Sequence, residues 1–128
     1  MENYQPSEVE LEILQILWEH QPTTVRFVFE RMNIKREKPY SYTTILTYFQ
    51  RMAKKNIVSF EKQGKTHYYT AIPQEEEVKR NLSQRLLDNV FKGSAKKMLM
   101  HALGQKEVSQ EELNEIQQWL ETKKKENE

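Results

Sequence analysis

The residues of this chain with the clearest capacity for chemistry fall within one short stretch, Ser41 to Lys55. Set on a 3.6-residue repeat, Thr43, Thr44, Thr47, Arg51, Lys54 and Lys55 share a helix face that carries no carboxylate. Every side chain on it is a hydroxyl or a cation. Such groups suit phosphate oxygens and the base edges of a DNA major groove. The competing reading is a plain solvated face, which needs no ligand. The elements around the stretch weigh against that.

On the same helix Tyr42, Ile45, Leu46, Phe49, Met52 and Ala53 form an apolar face, so the segment is amphipathic and packs on one side. After Asn56 the pattern changes to Ile57-Val58-Ser59-Phe60 and Thr66-His67-Tyr68-Tyr69-Thr70, two β-prone runs with Gln63-Gly64 as the turn between them. One of Tyr68 and Tyr69 must face the helices and the other is semi-exposed; His67 reads as structural rather than as a ligand. Pro39 disfavours helix at the residue before it, which makes Ser41 a natural N-cap.

Upstream, Ser7 and Glu10 form a capping box that opens a helix running to about His20. Val9, Ile13, Ile16 and Leu17 make its main apolar face, and Leu11, Leu14 and Trp18 a second, so it is expected to be packed on two sides. Pro22 ends it. Thr23 or Thr24 caps a second helix, Val25 to Met32, with Val25, Val28, Phe29 and Met32 inward. A basic connection, 33–40, follows. Helix, helix, turn, helix, hairpin is the order of a winged helix-turn-helix. The hairpin is its wing.

Ile72-Pro73 closes this unit, giving two expected domains, 1–73 and 74–128. The second reads as three helices, so the fold class is mainly α. Glu75 to Phe91 carries Val78, Leu82, Leu86 and Val90 at four-residue spacing, with Gly93 available as a stop. Ser94 to Leu103 carries Ala95, Met98, Leu99 and Ala102. Val108, Ser109, Glu112 and Leu113 form a capping box and hydrophobic staple for the last helix, which continues through Ile116, Trp119 and Leu120 and is expected to fray at Lys123. Three such helices make a poor core alone. Pairing with a second copy of the chain would bury Val78, Leu82, Leu86, Val90, Met98, Leu113, Ile116 and Leu120. The alternative is that they fold back on their own winged helix.

Composition bounds the rest. The chain has 128 residues, 37% hydrophobic and 30% charged, and no cysteine, which excludes disulfides, thiolate metal sites and thiol nucleophiles. Its apolar runs are too short to span a membrane and no signal-peptide core follows Met1, so a cytoplasmic location is expected. The net charge of +1 hides an asymmetry, since residues 24–70 hold ten lysines and arginines against three glutamates. That is a local footprint for a polyanion. There is no glycine-rich phosphate loop and no His/carboxylate pair at ligand spacing, and the dipole at a helix start explains Glu75-Glu76-Glu77. No enzyme, catalytic residue, metal or cofactor is expected. The rival to DNA binding is a winged helix whose basic face takes an acidic protein partner.

Three motifs in register resemble the BlaI/MecI/CopY family of bacterial repressors, the penicillinase-repressor group. Ser7-x-x-Glu10-x-x-Ile13-Leu14-x-Ile16-Leu17-Trp18 is similar to its first helix. Tyr40-Ser41-x-x-Thr44-Ile45-x-Thr47, followed by Arg51, Lys54 and Lys55, is similar to its recognition helix, and Gly64-Lys65 leading to Tyr69-Thr70 to its wing. The resemblance implies a homodimeric repressor on a pseudo-palindromic double-stranded DNA operator. It puts Thr43, Thr44 and Thr47 at base-reading positions, and Tyr40, Ser41 and Lys65 on phosphate. Family members often have lysine where Thr43 stands, which implies a different preferred operator. The cysteine cluster of copper-responsive members is absent. The Asn-Phe bond cleaved in β-lactam-responsive members corresponds to His101-Ala102, so the inducing signal, and with it a membrane sensor or protease as partner, stays open.

Overall fold

Ser7 opens the first helix with both halves of a capping box: its hydroxyl accepts from the Glu10 N–H at 3.2 Å, and its own N–H donates to the Glu10 carboxylate at 2.9 Å. The computed structural model describes residues 4–105 and 107–128. The elements are α1 (Glu8–His20), α2 (Val25–Met32), α3 (Tyr42–Lys54), β1 (Val58–Gln63), β2 (Thr66–Ala71), α4 (Glu75–Asn89), α5 (Ala95–Gly104) and α6 (Gln110–Glu126). They fall into two compact units, Met1–Gln84 and Arg85–Glu128, with the boundary inside α4. Ser7→Ala removes the side-chain half of the cap, and is expected to lower stability by about 1 kcal/mol. A urea midpoint that falls with an unchanged m-value would report it.

The first unit is built on Ile13, Leu14, Leu17, Val28, Ile45, Phe49 and Met52, all fully buried. The two separate faces expected on α1 merge into one. Glu10, Ile13, Leu14 and Leu17 form the deepest stripe, and Val9, Leu11, Ile16 and Trp18 flank it half-buried. Thr24, not Thr23, caps α2, accepting from the Phe27 N–H at 3.1 Å. Thr23 instead exchanges backbone hydrogen bonds with Tyr69 at 3.1 and 2.7 Å, tying the α1–α2 connection to the wing. Phe29 is half-buried rather than core, and meets the Tyr42 ring edge-on at 5.5 Å.

α3 ends in a Schellman arrangement with asparagine where glycine is commoner. Asn56 takes φ 62°, and the Asn56 and Ile57 N–H groups donate back to the carbonyls of Ala53 and Met52. The strands pair antiparallel from Val58↔Ala71 to Gln63↔Thr66, so Gln63 lies in β1 and the turn is Gly64-Lys65, one residue later than expected. Gly64 has φ 64°, a region that favours glycine. Of the adjacent tyrosines, Tyr69 is buried against Phe49, with ring centroids 4.7 Å apart, and Tyr68 is half-buried. Burial, then the neighbouring Tyr42, pushes the Tyr69 phenol above its ordinary pKa. His67 stacks on Phe60 at 4.5 Å. The Trp18 indole N–H donates to the Pro73 carbonyl at 3.0 Å, fixing the end of the wing to α1.

α4 stops at Asn89, short of Phe91, so Val90 lies beyond its last turn. Lys92 and Gly93, at φ 51° and 83°, make the exit, and the Gly93 N–H donates to the Leu87 carbonyl. Ser94 caps α5 and Ser109 caps α6, each accepting an N–H at 3.1 Å. α6 does not fray at Lys123 but continues to Glu126; cations in its last turn oppose the negative end of the helix dipole. Neither α5 nor α6 has a buried residue.

Candidate nucleic-acid interface

The face of α3 opposite its buried Ile45, Phe49 and Met52 is where the candidate residues gather. Thr43, Thr44, Arg51, Lys54 and Lys55 are exposed there, and Thr47 is half-buried. The Thr47 hydroxyl donates to the Thr43 carbonyl at 2.9 Å, and the Thr44 hydroxyl lies 2.9 Å from that of Ser41. With its proton engaged, Thr47 offers oxygen lone pairs and a methyl group to an incoming base edge. Ser41 is the N-cap itself, accepting from the Thr44 N–H at 3.1 Å, so its hydroxyl fixes the helix start.

The start of α3 is held from behind by contacts that sequence reasoning missed. The Asn33 amide donates to the Tyr40 carbonyl at 3.0 Å and accepts from the Tyr40 N–H at 2.9 Å. Arg36 makes a bidentate pair with Glu12 at 2.8 and 3.0 Å and donates to the Met32 carbonyl at 3.2 Å, with its guanidinium 4.3 Å from the centre of the Tyr40 ring. One cation of the basic segment therefore serves as a brace between α1 and the α2–α3 connection. An asparagine directly after a helix was a usable signal. Nothing local marked Arg36 for Glu12, which lies on another helix.

Lys65 sits exposed in the wing turn, and Tyr40 is half-buried at the head of α3. Lys55 lies 4.0 Å from the carboxylate of Glu10, the one buried acid of α1, yet its side chain stays 63% exposed. Glu10 also faces Tyr4. Burial, then the Glu10 charge, raises the Tyr4 phenol well above its ordinary pKa. Among the described residues no cluster of three His, Asp or Glu side chains could hold a metal, and no helix is long and apolar enough to cross a membrane.

The residues proposed from sequence for self-association are placed unevenly. Val78 is already buried within a single chain, and Leu82, Met98 and Ile116 are half-buried. Leu86, Val90, Leu113 and Leu120 are exposed, together with Leu99, Met100 and Trp119. His101 and Ala102 are both exposed on α5.

Comparison with known proteins then decides the family. The penicillinase repressor family model matches residues 6–122, nearly the whole chain. The chain belongs to that family. Its relatives include the methicillin resistance regulatory protein MecI of Staphylococcus aureus strain N315, 26% identical over 120 residues that cover 94% of this chain and 96% of that one. The transcriptional regulator BlaI of Mycobacterium tuberculosis is 31% identical over 96 residues, 73% of this chain and 68% of its own. A solved MarR family protein from Bacillus stearothermophilus shares the fold, with a TM-score of 0.55 and 18% identity over 97% of this chain and 76% of that one. Family and fold agree with the winged helix read from the sequence, and a repressor family does not favour an acidic protein as the partner of the basic face.

Proposed function

We propose that this penicillinase repressor family member is a sequence-specific DNA-binding transcriptional repressor, acting as a homodimer on a pseudo-palindromic operator. The observation that carries the proposal is the α3 face, where hydroxyls and cations project without a carboxylate among them from a helix braced at its start. Residues 1–73 bind DNA and residues 74–128 dimerise. Thr43, Thr44 and Thr47 read base edges, while Tyr40, Ser41, Arg51, Lys54, Lys55 and Lys65 meet phosphate. Two such helices related by a two-fold axis enter successive major grooves roughly 34–36 Å apart.

Self-association is supported by the apolar side chains that unit Arg85–Glu128 leaves in water. Moving the exposed part of these side chains from water into an interface is favourable, at about 25 cal/mol per Å² of apolar surface, and an exposed apolar set of this kind marks a partner surface. Repression is steric, by occupation of a promoter. The protein carries out no reaction of its own and works in the cytoplasm. Separation of the dimer relieves repression, because one half-site binds weakly alone. A membrane sensor or protease acting on the dimerisation helices is the partner class that fits such a switch.

Arg51→Ala tests the assignment of α3. The side chain is exposed, so folding should be untouched while operator affinity falls. The salt slope should lose about 0.9 per phosphate contact removed. An Arg51→Ala protein with the affinity and slope of the wild type would place the DNA surface elsewhere.

A further inference from the structure

A cleft of about 350 Å³ opens between α2, the start of α3 and the wing. Its polar lining comes from Thr24, Arg26, Tyr42, Lys65, Thr66 and His67, and no carboxylate is among the lining residues. Two other clefts of the same unit differ in this respect, one containing Glu12 and Glu19 and the other Glu75 and Glu76. The cations of the acid-free cleft come from separate elements, Arg26 from the first turn of α2 and Lys65 from the wing turn. An anion seated there is attracted from both sides.

The Arg26 guanidinium lies 4.6 Å from the centre of the Tyr42 ring and 5.7 Å from that of Phe29. A guanidinium resting on an aromatic face keeps its N–H edge available, and that edge matches two phosphate oxygens. Arg36 shows the contrast. It too lies over a tyrosine, Tyr40 at 4.3 Å, but its Nη2 is taken by the Glu12 carboxylate and its Nε by the Met32 carbonyl. Among the ion pairs of the described residues, Arg26 has none. Two tyrosine shelves thus differ in what they offer: Tyr40 holds an arginine paired with a carboxylate of the protein, and Tyr42 holds one that lines an open, acid-free cleft.

We propose that this cleft seats a DNA backbone phosphate, held by Arg26 from its shelf on Tyr42 and by Lys65 across the opening. Arg26 and Tyr42 then extend the DNA surface beyond the α3 face to the far side of the recognition helix. The proposal rests on the repressor reading above. Phosphate contacts carry no base sequence, so Arg26 sets affinity and register rather than operator preference.

The test is a titration of wild type, Arg26→Ala and Arg26→Lys against operator and scrambled duplex between about 50 and 200 mM salt. For Arg26→Ala the slope of log affinity against log salt should shrink by about 0.9 per chain, or about 1.8 for a dimer. The advantage of wild type over the variant then narrows by about twelvefold across that salt range. The loss should be equal on operator and scrambled DNA. Arg26→Lys, which keeps the charge, should retain the slope. If the wild type binds but Arg26→Ala keeps the full slope, this assignment is overturned and the repressor reading stands. A loss confined to the operator would also overturn it, by making Arg26 a base reader. A wild type that binds no duplex at all would overturn both.

Discussion

Replacing Leu113 and Leu120 together by aspartate is expected to convert the protein to a species of its 15.5 kDa chain mass and to weaken operator binding by about 10²–10⁴-fold. Both leucines are exposed in the single chain, seven residues apart on one face of α6 with Ile116 between them. Neither α5 nor α6 buries any residue, so the substitutions remove little packing within one chain. Across a dimer they would place carboxylates where apolar groups meet, and an unpaired buried charge is strongly unfavourable. The DNA-binding loss follows from geometry alone. In the proposed homodimer two linked half-site contacts would become one, and the effective concentration that the first contact gives the second would disappear. Sedimentation equilibrium and an operator titration on the same sample would check both halves of the expectation. A double variant that still sediments at twice the chain mass would move the interface off α6.

Phe49→Ala is expected to have the largest effect on stability, a loss of about 3–5 kcal/mol. Phe49 is fully buried, is the largest such side chain in the unit, and meets Tyr69 edge-on at 4.7 Å. That contact joins the helix that carries the candidate DNA face to the wing. Truncation would leave a cavity between the two and remove an aromatic pair worth about 0.5–1.5 kcal/mol beyond its buried area. Against a total stability of about 5–15 kcal/mol for a domain, the loss is large enough to leave part of the population unfolded at moderate denaturant. Denaturant unfolding followed by tryptophan fluorescence would measure it, because Trp18 is hydrogen-bonded to Pro73 within the same unit. A midpoint within error of wild type would mean that the α3–wing contact is not a mainstay of the domain.

Much of this architecture was legible in the residues, and for identifiable reasons. Ser7, Ser41 and Ser109 all cap helices, because N-cap chemistry is local and lies within three residues of its partner. The bounds of α2 and the amphipathic split of α3 followed from periodicity. What sequence could not reach was contact between distant segments. Glu10 is buried on α1, Thr23 pairs with Tyr69, and Arg36 is held by Glu12. Each is set by which elements meet in space. The hairpin turn was displaced by one residue because Gln63 and Gly64 are both tolerable in a turn, and only the pairing of Gln63 with Thr66 fixes which of them belongs to it. α6 continues past Lys123 because three lysines at a helix C-terminus are favourable there, although as a polar run they look like a tail.

The candidate site was legible in part. The absence of carboxylates from one α3 face could be seen from spacing alone; five of those six residues lie on α3, and Lys55 is its C-cap. The basic segment looked uniform as a count of charges, but the fold divides it. Arg36 goes to a structural brace, Arg26 to an aromatic shelf beside an acid-free cleft, and Arg51 and Lys54 to the exposed face of α3. Charge composition signals a polyanion; only geometry says which cations are available to it.

The most direct test of the repressor account is an anisotropy titration of the full chain against the duplex upstream of its own gene, with scrambled duplex as competitor. The account predicts saturable, salt-sensitive binding that survives the competitor and fits two chains per site. Binding to every upstream duplex no tighter than to scrambled DNA would contradict it.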